Sequence, residues 1–216
     1  MKKYYPIMLD VENKQCFVIG GGKVAYRKTL SLLEYMASVT VISRDVIEEF
    51  KELIELKKIK FINDTYSYEY IKGGYLVYAS TNSREVNEKI YRDCIKNNKL
   101  VNVVDEPDIC NFIVPSKLQR GDLTIAVSTN GKSPTLAKKI REDMEESFDF
   151  KYEIFLEIMG DIRKIAPEYI KDIHLRNEFY KEIVYSDIIN RIDFENKEQI
   201  KEEIYRILIS YGNKDL

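Results

Sequence analysis

The stretch Lys14–Ala25, KQCFVIGGGKVA, decides how this chain is read. The apolar run Cys16–Ile19 ends in Gly20, Gly21 and Gly22, and Ala25 follows three residues on. A short, bounded apolar run reads as a buried strand, and the segment after the glycines reads as a helix. Strand, glycine turn and helix together fit G-x-G-x-x-A, the dinucleotide-binding fingerprint. Gly20 permits the sharp turn, Gly22 lets the backbone approach a pyrophosphate, and small Ala25 lets the helix lie close on the strand. The helix N-terminus then offers free N–H groups and its positive dipole end to the phosphates. The competing reading is a plain chain reversal. Against it stand the strand before the turn and the apolar stripe Leu30, Leu33, Met36 after it.

Outward from this unit, strand and helix signals alternate. Ser38–Ser43 is a β-branched strand, and Val46–Leu56 is a helix with Ile47, Phe50 and Ile54 on one face. Ile59–Ile62 and Tyr75–Ala79 are further strands, the latter leading into Ser80, Thr81 and Asn82. Helix Ser83–Lys96 carries the stripe Val86, Ile90, Cys94, and Asn82 and Glu85 are spaced as a capping box. Strand Leu100–Val104 follows. This rhythm predicts an α/β fold with a Rossmann-type parallel sheet. It breaks at the turn residues Asp105-Glu106-Pro107-Asp108. Beyond them Asn111–Pro115 reads as extended, Asp122–Ser128 as a strand and Asn130-Gly131 as a turn. Ser133 is an N-cap with Pro134 at the first position of a helix over Thr135–Glu146. From Phe148 only helical spacing remains. Its stripes are Phe155, Ile158, Met159, Ile162, Ile165 up to Pro167, then Leu175, Phe179, Ile183, then Ile200, Ile204, Leu208, Tyr211.

Composition narrows the function. The 216 residues hold 34 basic against 36 acidic side chains, a net charge of −2, so bulk charge does not point to nucleic acid as a partner. The cysteines Cys16, Cys94 and Cys110 form no C-x-x-C pair, and their odd number argues against a disulfide framework. Cys16 and Cys94 read as small core residues. The only histidine, His174, excludes a multi-histidine metal centre, and a lone histidine in a helical region is more often a packing or surface residue. No apolar run reaches membrane-helix length and no signal-type stretch opens the chain, so the expectation is a cytoplasmic protein without a membrane partner.

Four segments together carry a resemblance. They are Tyr5-Pro6-Ile7-Met8-Leu9-Asp10, then VIGGGKVAYRK (Val18–Lys28), then NVVDEPDICNFIVPS (Asn102–Ser116), then LTIAVSTNGKSPTLAKKIRE (Leu123–Glu142). In this order and spacing the chain resembles the precorrin-2 dehydrogenase/sirohydrochlorin ferrochelatase family, which makes sirohaem. The resemblance covers residues 1–145; beyond them helical character alone matches. It implies NAD-dependent oxidation of precorrin-2 to sirohydrochlorin, and in some members Fe²⁺ insertion as a lyase step giving sirohaem. It also implies a homodimer. The domains would be an NAD-binding Rossmann domain over 1–112, a dimerisation segment over 113–146 and a small C-terminal helical domain over 147–216.

Asp105 is the main catalytic candidate. It follows a strand at the carboxyl edge of the sheet, where α/β proteins bind ligands. It also matches the functional aspartate in the family's N-V-V-D motif, here Asn102-Val103-Val104-Asp105. A carboxylate there would take a proton as the macrocycle loses hydride; the local alternative is an Asx turn before Pro107. Gly20, Gly21, Gly22, Lys23 and Val24 would border the pyrophosphate. At the ribose position Arg44 would favour a 2′-phosphate and Asp45 a 2′-hydroxyl; the resemblance favours NAD. Ser80, Thr81 and Asn82 would line the nicotinamide side, with helix capping as the alternative for Asn82. The tetrapyrrole substrate that the resemblance implies carries eight carboxylates. Lys117, Arg120, Asn130, Lys132 and Ser133, with Lys138 and Arg141 nearby, are the candidates to receive them. An NAD-binding sensor without chemistry is the competing class, but it needs neither Asp105 nor this basic segment. A Tyr-x-x-x-Lys oxidoreductase is disfavoured because Tyr91 is followed four residues on by Ile95.

Overall fold

A computed structural model of the protein describes residues 3–214. The chain divides into two compact units, one ending at Val114 and the other starting at Pro115.

The first unit is a parallel sheet of strands β1 (Gln15–Ile19), β2 (Ser38–Ile42), β3 (Lys60–Ile62), β4 (Leu76–Ala79) and β5 (Leu100–Val103), in spatial order β3-β2-β1-β4-β5. Helices α1 (Lys23–Glu34), α2 (Glu49–Glu55), α3 (Tyr68–Ile71) and α4 (Arg84–Lys96) connect the strands, and a 3-10 turn (Pro107–Ile109) follows β5. Strands covered on both faces need apolar residues at nearly every position. The apolar runs Cys16–Ile19 and Leu76–Ala79 meet that need and are buried throughout. One face packs Val18 and Val41 against Ala25, Leu32 and Phe50; the other packs Val77 and Val101 against Ile71, Ile90 and Cys94. The Rossmann-type sheet expected from the sequence is therefore present.

Three local expectations are corrected. The stripe that α1 turns inward is Ala25, Thr29, Leu32, whereas Leu30 is 41% and Met36 64% exposed. The close approach of α1 to the sheet requires the small residues of the helix to face inward, and that selects the face against hydrophobicity. Helix α4 is capped by Ser83, whose hydroxyl accepts from Val86 N–H (3.4 Å), so Asn82 stands outside the helix and makes no capping box with Glu85. Helix α2 begins at Glu49 rather than Val46.

Beyond β5 the chain turns back along that strand. Asn111 Oδ1 accepts from Val101 N–H (2.7 Å) and its Nδ2 donates to Lys99 C=O (2.8 Å), while Asn102 Nδ2 donates to Phe112 C=O (3.0 Å). Side-chain amides thus complete strand pairing on the outer side of β5.

The second unit opens with an antiparallel hairpin, β6 (Ser116–Arg120) and β7 (Leu123–Val127), turned at Gly121 with φ +52°. Strand β6 is not legible in the sequence. Ser116-Lys117-Leu118-Gln119-Arg120 has a single apolar residue, and only its pairing with β7 makes it a strand. Helices α5 (Pro134–Ser147), α6 (Phe150–Tyr169), α7 (Ile173–Tyr185), α8 (Ile188–Arg191) and α9 (Lys197–Gly212) follow. Pro167 lies inside the last turn of α6 instead of ending it. The three predicted stripes converge in one core containing Phe155, Ile158, Ile162, Phe179, Ile183, Ile204 and Leu208.

Replacing Asn111 with alanine leaves Val101 N–H and Lys99 C=O without these partners. The expected loss of stability is about 1–3 kcal/mol, read as a lowered urea midpoint at unchanged slope.

Candidate functional site

The carboxyl edge of the parallel sheet brings most of the candidate residues into one row. The ladder continues past the strands by one bond at each step. Ser43 N–H donates to Ile62 C=O (3.2 Å), Gly20 N–H to Ile42 C=O (2.9 Å), Ser80 N–H to Ile19 C=O (2.8 Å) and Val104 N–H to Ala79 C=O (2.9 Å). One residue beyond these bonds stand Arg44, Gly21, Thr81 and Asp105, and after β3 the chain bends at Asn63, where Asp64 N–H donates back to Ile62 C=O (3.0 Å). Adjacent strands lie about 4.8 Å apart, so Asp105 stands roughly 10 Å from the glycine turn. The strand order reverses direction between β1 and β4, and ligands of open α/β sheets bind in the crevice at such a switch point.

The glycines have distinct roles. A Cβ on Gly20 (φ +126°) would lie 2.4 Å from Ser80 O, and one on Gly21 would lie 1.9 Å from Asp45 O. Both positions therefore exclude a side chain. A Cβ on Gly22 would meet nothing within 4 Å, so the space beside it is open. Gly22 is also the N-cap of α1 and supplies no side chain to the helix N–H groups. By contrast, α4, α5, α6 and α7 are each capped by a side chain, from Ser83, Ser133, Asp149 and Asp172. An open space facing uncapped N–H groups at a dipole's positive end fits a pyrophosphate, with Lys23 exposed and Val24 half-buried on the first turn.

The neighbouring strand ends are held in place. Ser43 Oγ donates to Asp45 O (2.6 Å) and Ile47 N–H to Gly21 O (2.9 Å), which fold the end of β2 against the glycine turn and leave Arg44 and Asp45 exposed. Ser80 Oγ donates to Ile19 O (3.0 Å). Thr81 is gripped by Asn87, a buried α4 residue. Asn87 Oδ1 accepts from Thr81 N–H (3.2 Å) and hydroxyl (2.7 Å), and its Nδ2 donates to Thr81 C=O (3.0 Å). Asn82 is exposed beside them.

Asp105 is exposed and has φ +61°, a left-handed conformation that aspartate tolerates better than most residues. Its loop is anchored by Cys110, which is 1% exposed. Cys110 Sγ accepts from Val103 N–H (3.1 Å) and lies 3.3 Å from both Val103 C=O and Glu106 C=O. Glu106 also pairs with Arg84 at 3.7 Å. Burial pushes the Cys16 thiol up to about 11 and the Cys94 thiol up to about 12, so neither offers a thiolate near neutrality. Sequence reasoning passed over Asn87, Cys110 and Asn111. A buried-spacing asparagine or cysteine next to a strand end is the signal they leave, and it is a weak one.

The basic candidates belong to the second unit and are less concentrated than their spacing suggested. Lys117 and Arg120 sit on opposite faces of β6 by strand alternation. Lys117 Nζ lies 3.4 Å from Gln119 Oε1, and Arg120 donates to Gln119 C=O (2.9 Å). Asn130 and Gly131 both have positive φ, and the turn presents Lys132 exposed ahead of α5. The Ser133 hydroxyl accepts from Leu136 N–H (3.2 Å). Lys138 and Arg141 pair within α5, with Glu142 and with Glu142 and Glu145 respectively. His174 is exposed on the first turn of α7. Among the described residues no group of three His, Cys, Asp or Glu side chains could hold a metal ion, and no helix is long and apolar enough to cross a membrane. An open groove of about 420 Å³ between α6 and α9 is lined by the paired Asp161 and Lys201 with Ile162 and Tyr205, and contains none of the candidates.

Sheet order, glycine turn and uncapped α1 define a dinucleotide-binding protein. Residues 7–116, about half of the chain, match a family model described as "Putative NAD(P)-binding", and residues 120–147 match "Sirohaem biosynthesis protein central". The siroheme synthase of Vesicomyosocius okutanii subsp. Calyptogena okutanii is 35% identical over 91% of this chain and 42% of its own length. That of Buchnera aphidicola subsp. Acyrthosiphon pisum is 32% identical over 91% of this chain and 41% of its own. The chain thus spans about two fifths of these relatives. Among solved structures, SirC, a precorrin-2 dehydrogenase, superposes with a TM-score of 0.79 at 25% identity, covering 94% of this chain and all of that one. The chain belongs to the NAD(P)-binding family of that model and is similar to sirohaem biosynthesis proteins over the rest of its matched length.

Gly22→Ala and Gly21→Ala separate binding from folding. Gly22→Ala should melt within a degree or two of wild type yet weaken NAD⁺ binding tenfold or more, measured by titration calorimetry. Gly21→Ala, which drives a Cβ into Asp45 O, should lower the melting temperature as well.

Proposed function

We propose that this chain oxidises precorrin-2 to sirohydrochlorin with NAD⁺, as a cytoplasmic homodimer. The observation that carries the proposal is the row at the sheet edge, with Asp105 two strands from the glycine turn. When bound, NAD⁺ supplies the hydride acceptor. Gly20, Gly21, Gly22, Lys23 and Val24 hold its pyrophosphate, Arg44 and Asp45 flank its adenosine ribose, and Ser80, Thr81 and Asn82 border its nicotinamide end. The Asp105 carboxylate takes the proton that the macrocycle loses alongside the hydride. Its exposure and its anchored loop suit a base that must meet a large substrate. Lys117, Arg120, Asn130, Lys132 and Ser133 receive the substrate carboxylates.

In this proposal residues 113–146 form the dimerisation segment between a Rossmann domain over 1–112 and a helical domain over 147–216. Leu136 on α5 is 48% exposed, which suits a second copy as its cover. Fe²⁺ enters as a substrate in the lyase reading, with Asp105 taking the pyrrole protons that the metal displaces.

Anaerobic mixing of the protein with precorrin-2 and NAD⁺ should give NADH and the sirohydrochlorin spectrum together. Asp105→Asn should lower turnover by about 10²–10⁴-fold while NAD⁺ affinity stays near wild type. NAD⁺ binding without NADH formation would instead identify a sensor. Added Fe²⁺ that enters the product no faster than without protein would limit the activity to dehydrogenation. Sedimentation velocity should show a species of twice the chain mass.

A further inference from the structure

The end of β3 lies outside the glycine fingerprint, yet the row at the sheet edge puts Asp64 beside Arg44. The register pairs Ile42 with Ile62; Ser43 N–H (3.2 Å) and, where the β3 chain bends, Asp64 N–H (3.0 Å) both donate to Ile62 C=O, which brings the end of β3 at Asp64 next to the end of β2 that carries Arg44. Asp64 is also held in position. Its Oδ2 accepts from the Tyr70 hydroxyl, and its Oδ1 accepts from Thr65 N–H (2.7 Å) and the Thr65 hydroxyl (3.3 Å). The Tyr70 bond foremost, then the Thr65 N–H, hold the carboxyl below the usual carboxylate range, and the Arg44 guanidinium adds to the same effect. The group is therefore charged at neutral pH and confined to one place.

Arg44 is the exposed cation at the end of β2, the position from which an arginine accommodates the 2′-phosphate of NADP. Its backbone is tied to the nucleotide turn by the contact of Asp45 O with Gly21. A fixed negative charge one strand away both offsets the Arg44 charge and repels a 2′-phosphate, which brings further negative charge to the same spot. A 2′-hydroxyl, being neutral, is not penalised.

We infer that Asp64 is a specificity-determining residue: anchored by Tyr70 and Thr65 beside Arg44, it makes the ribose end of the site accept NAD and disfavour NADP. This rests on the reading of the β2 end as the adenosine-ribose site, and a binding measurement keeps the two apart. NAD⁺ and NADP⁺ are titrated into the intact protein by calorimetry at low salt, for wild type, Asp64→Asn, Asp64→Ser and the double variant Asp64→Asn/Arg44→Ala. Wild type should bind NAD⁺ more tightly. Asp64→Asn and Asp64→Ser should tighten NADP⁺ on the order of fivefold with NAD⁺ within about twofold. The gain should shrink at high salt and vanish in the double variant. Two folded single variants whose NADP⁺ affinity is unchanged, or changes in step with NAD⁺, would overturn the inference and leave the nucleotide site standing. A wild type that binds neither dinucleotide would overturn the ribose reading and the inference with it.

Discussion

The structure depends on two positions that cannot carry a side chain. Gly20 and Gly21 let β1 end in direct contact with the backbones that follow β2 and β4. Any Cβ there would overlap Ser80 O or Asp45 O, and relief would require the strand ends to spread. Strand spacing, the direction of α1 and the level at which each neighbouring chain leaves the sheet all follow from that convergence. Gly22 differs: its missing side chain leaves space that the protein itself does not fill. Gly20 and Gly21 thus fix the path of the turn, and Gly22 leaves the space beside it open.

The same economy shapes the polar groups around the turn. Most long helices here begin with a serine or aspartate that satisfies an N–H group, but α1 begins with glycine. Free N–H groups at a helix start are costly unless water or an anion meets them. Around that opening several polar side chains fasten the neighbouring backbone. Asn87 holds Thr81, Ser43 holds Asp45, and Cys110 and Asn111 fasten the return beyond β5. Asp105 is presented from a left-handed turn on top of that scaffold. Its position is set by the residues that pin the loop on either side of it.

The legible parts of the fold were those with strong local periodicity. Cys16–Ile19, Leu76–Ala79 and helices α6, α7 and α9 are apolar at the spacing their geometry demands, and they form where that pattern placed them. Strand β6 was illegible because its sequence is polar and its partner lies across a hairpin. The inward face of α1 was misread because close helix–sheet approach rewards Ala25 and Thr29 over Leu30. The basic segment was legible as a charge count, yet strand alternation divides Lys117 from Arg120, and helical i, i+4 spacing pairs Lys138 and Arg141 with glutamates.

By itself the sequence determined the α/β class, the glycine turn and the identity of the residues at each strand end, because these follow from local pattern and residue chemistry. Which of those residues stand side by side was decided only by the tertiary structure. Register between parallel strands is set by crossovers that bring together segments some twenty residues or more apart, and no local pattern encodes it. That is why Asp105 could be singled out from its own neighbourhood, whereas the adjacency of Asp64 and Arg44 emerged only once β2 and β3 were paired.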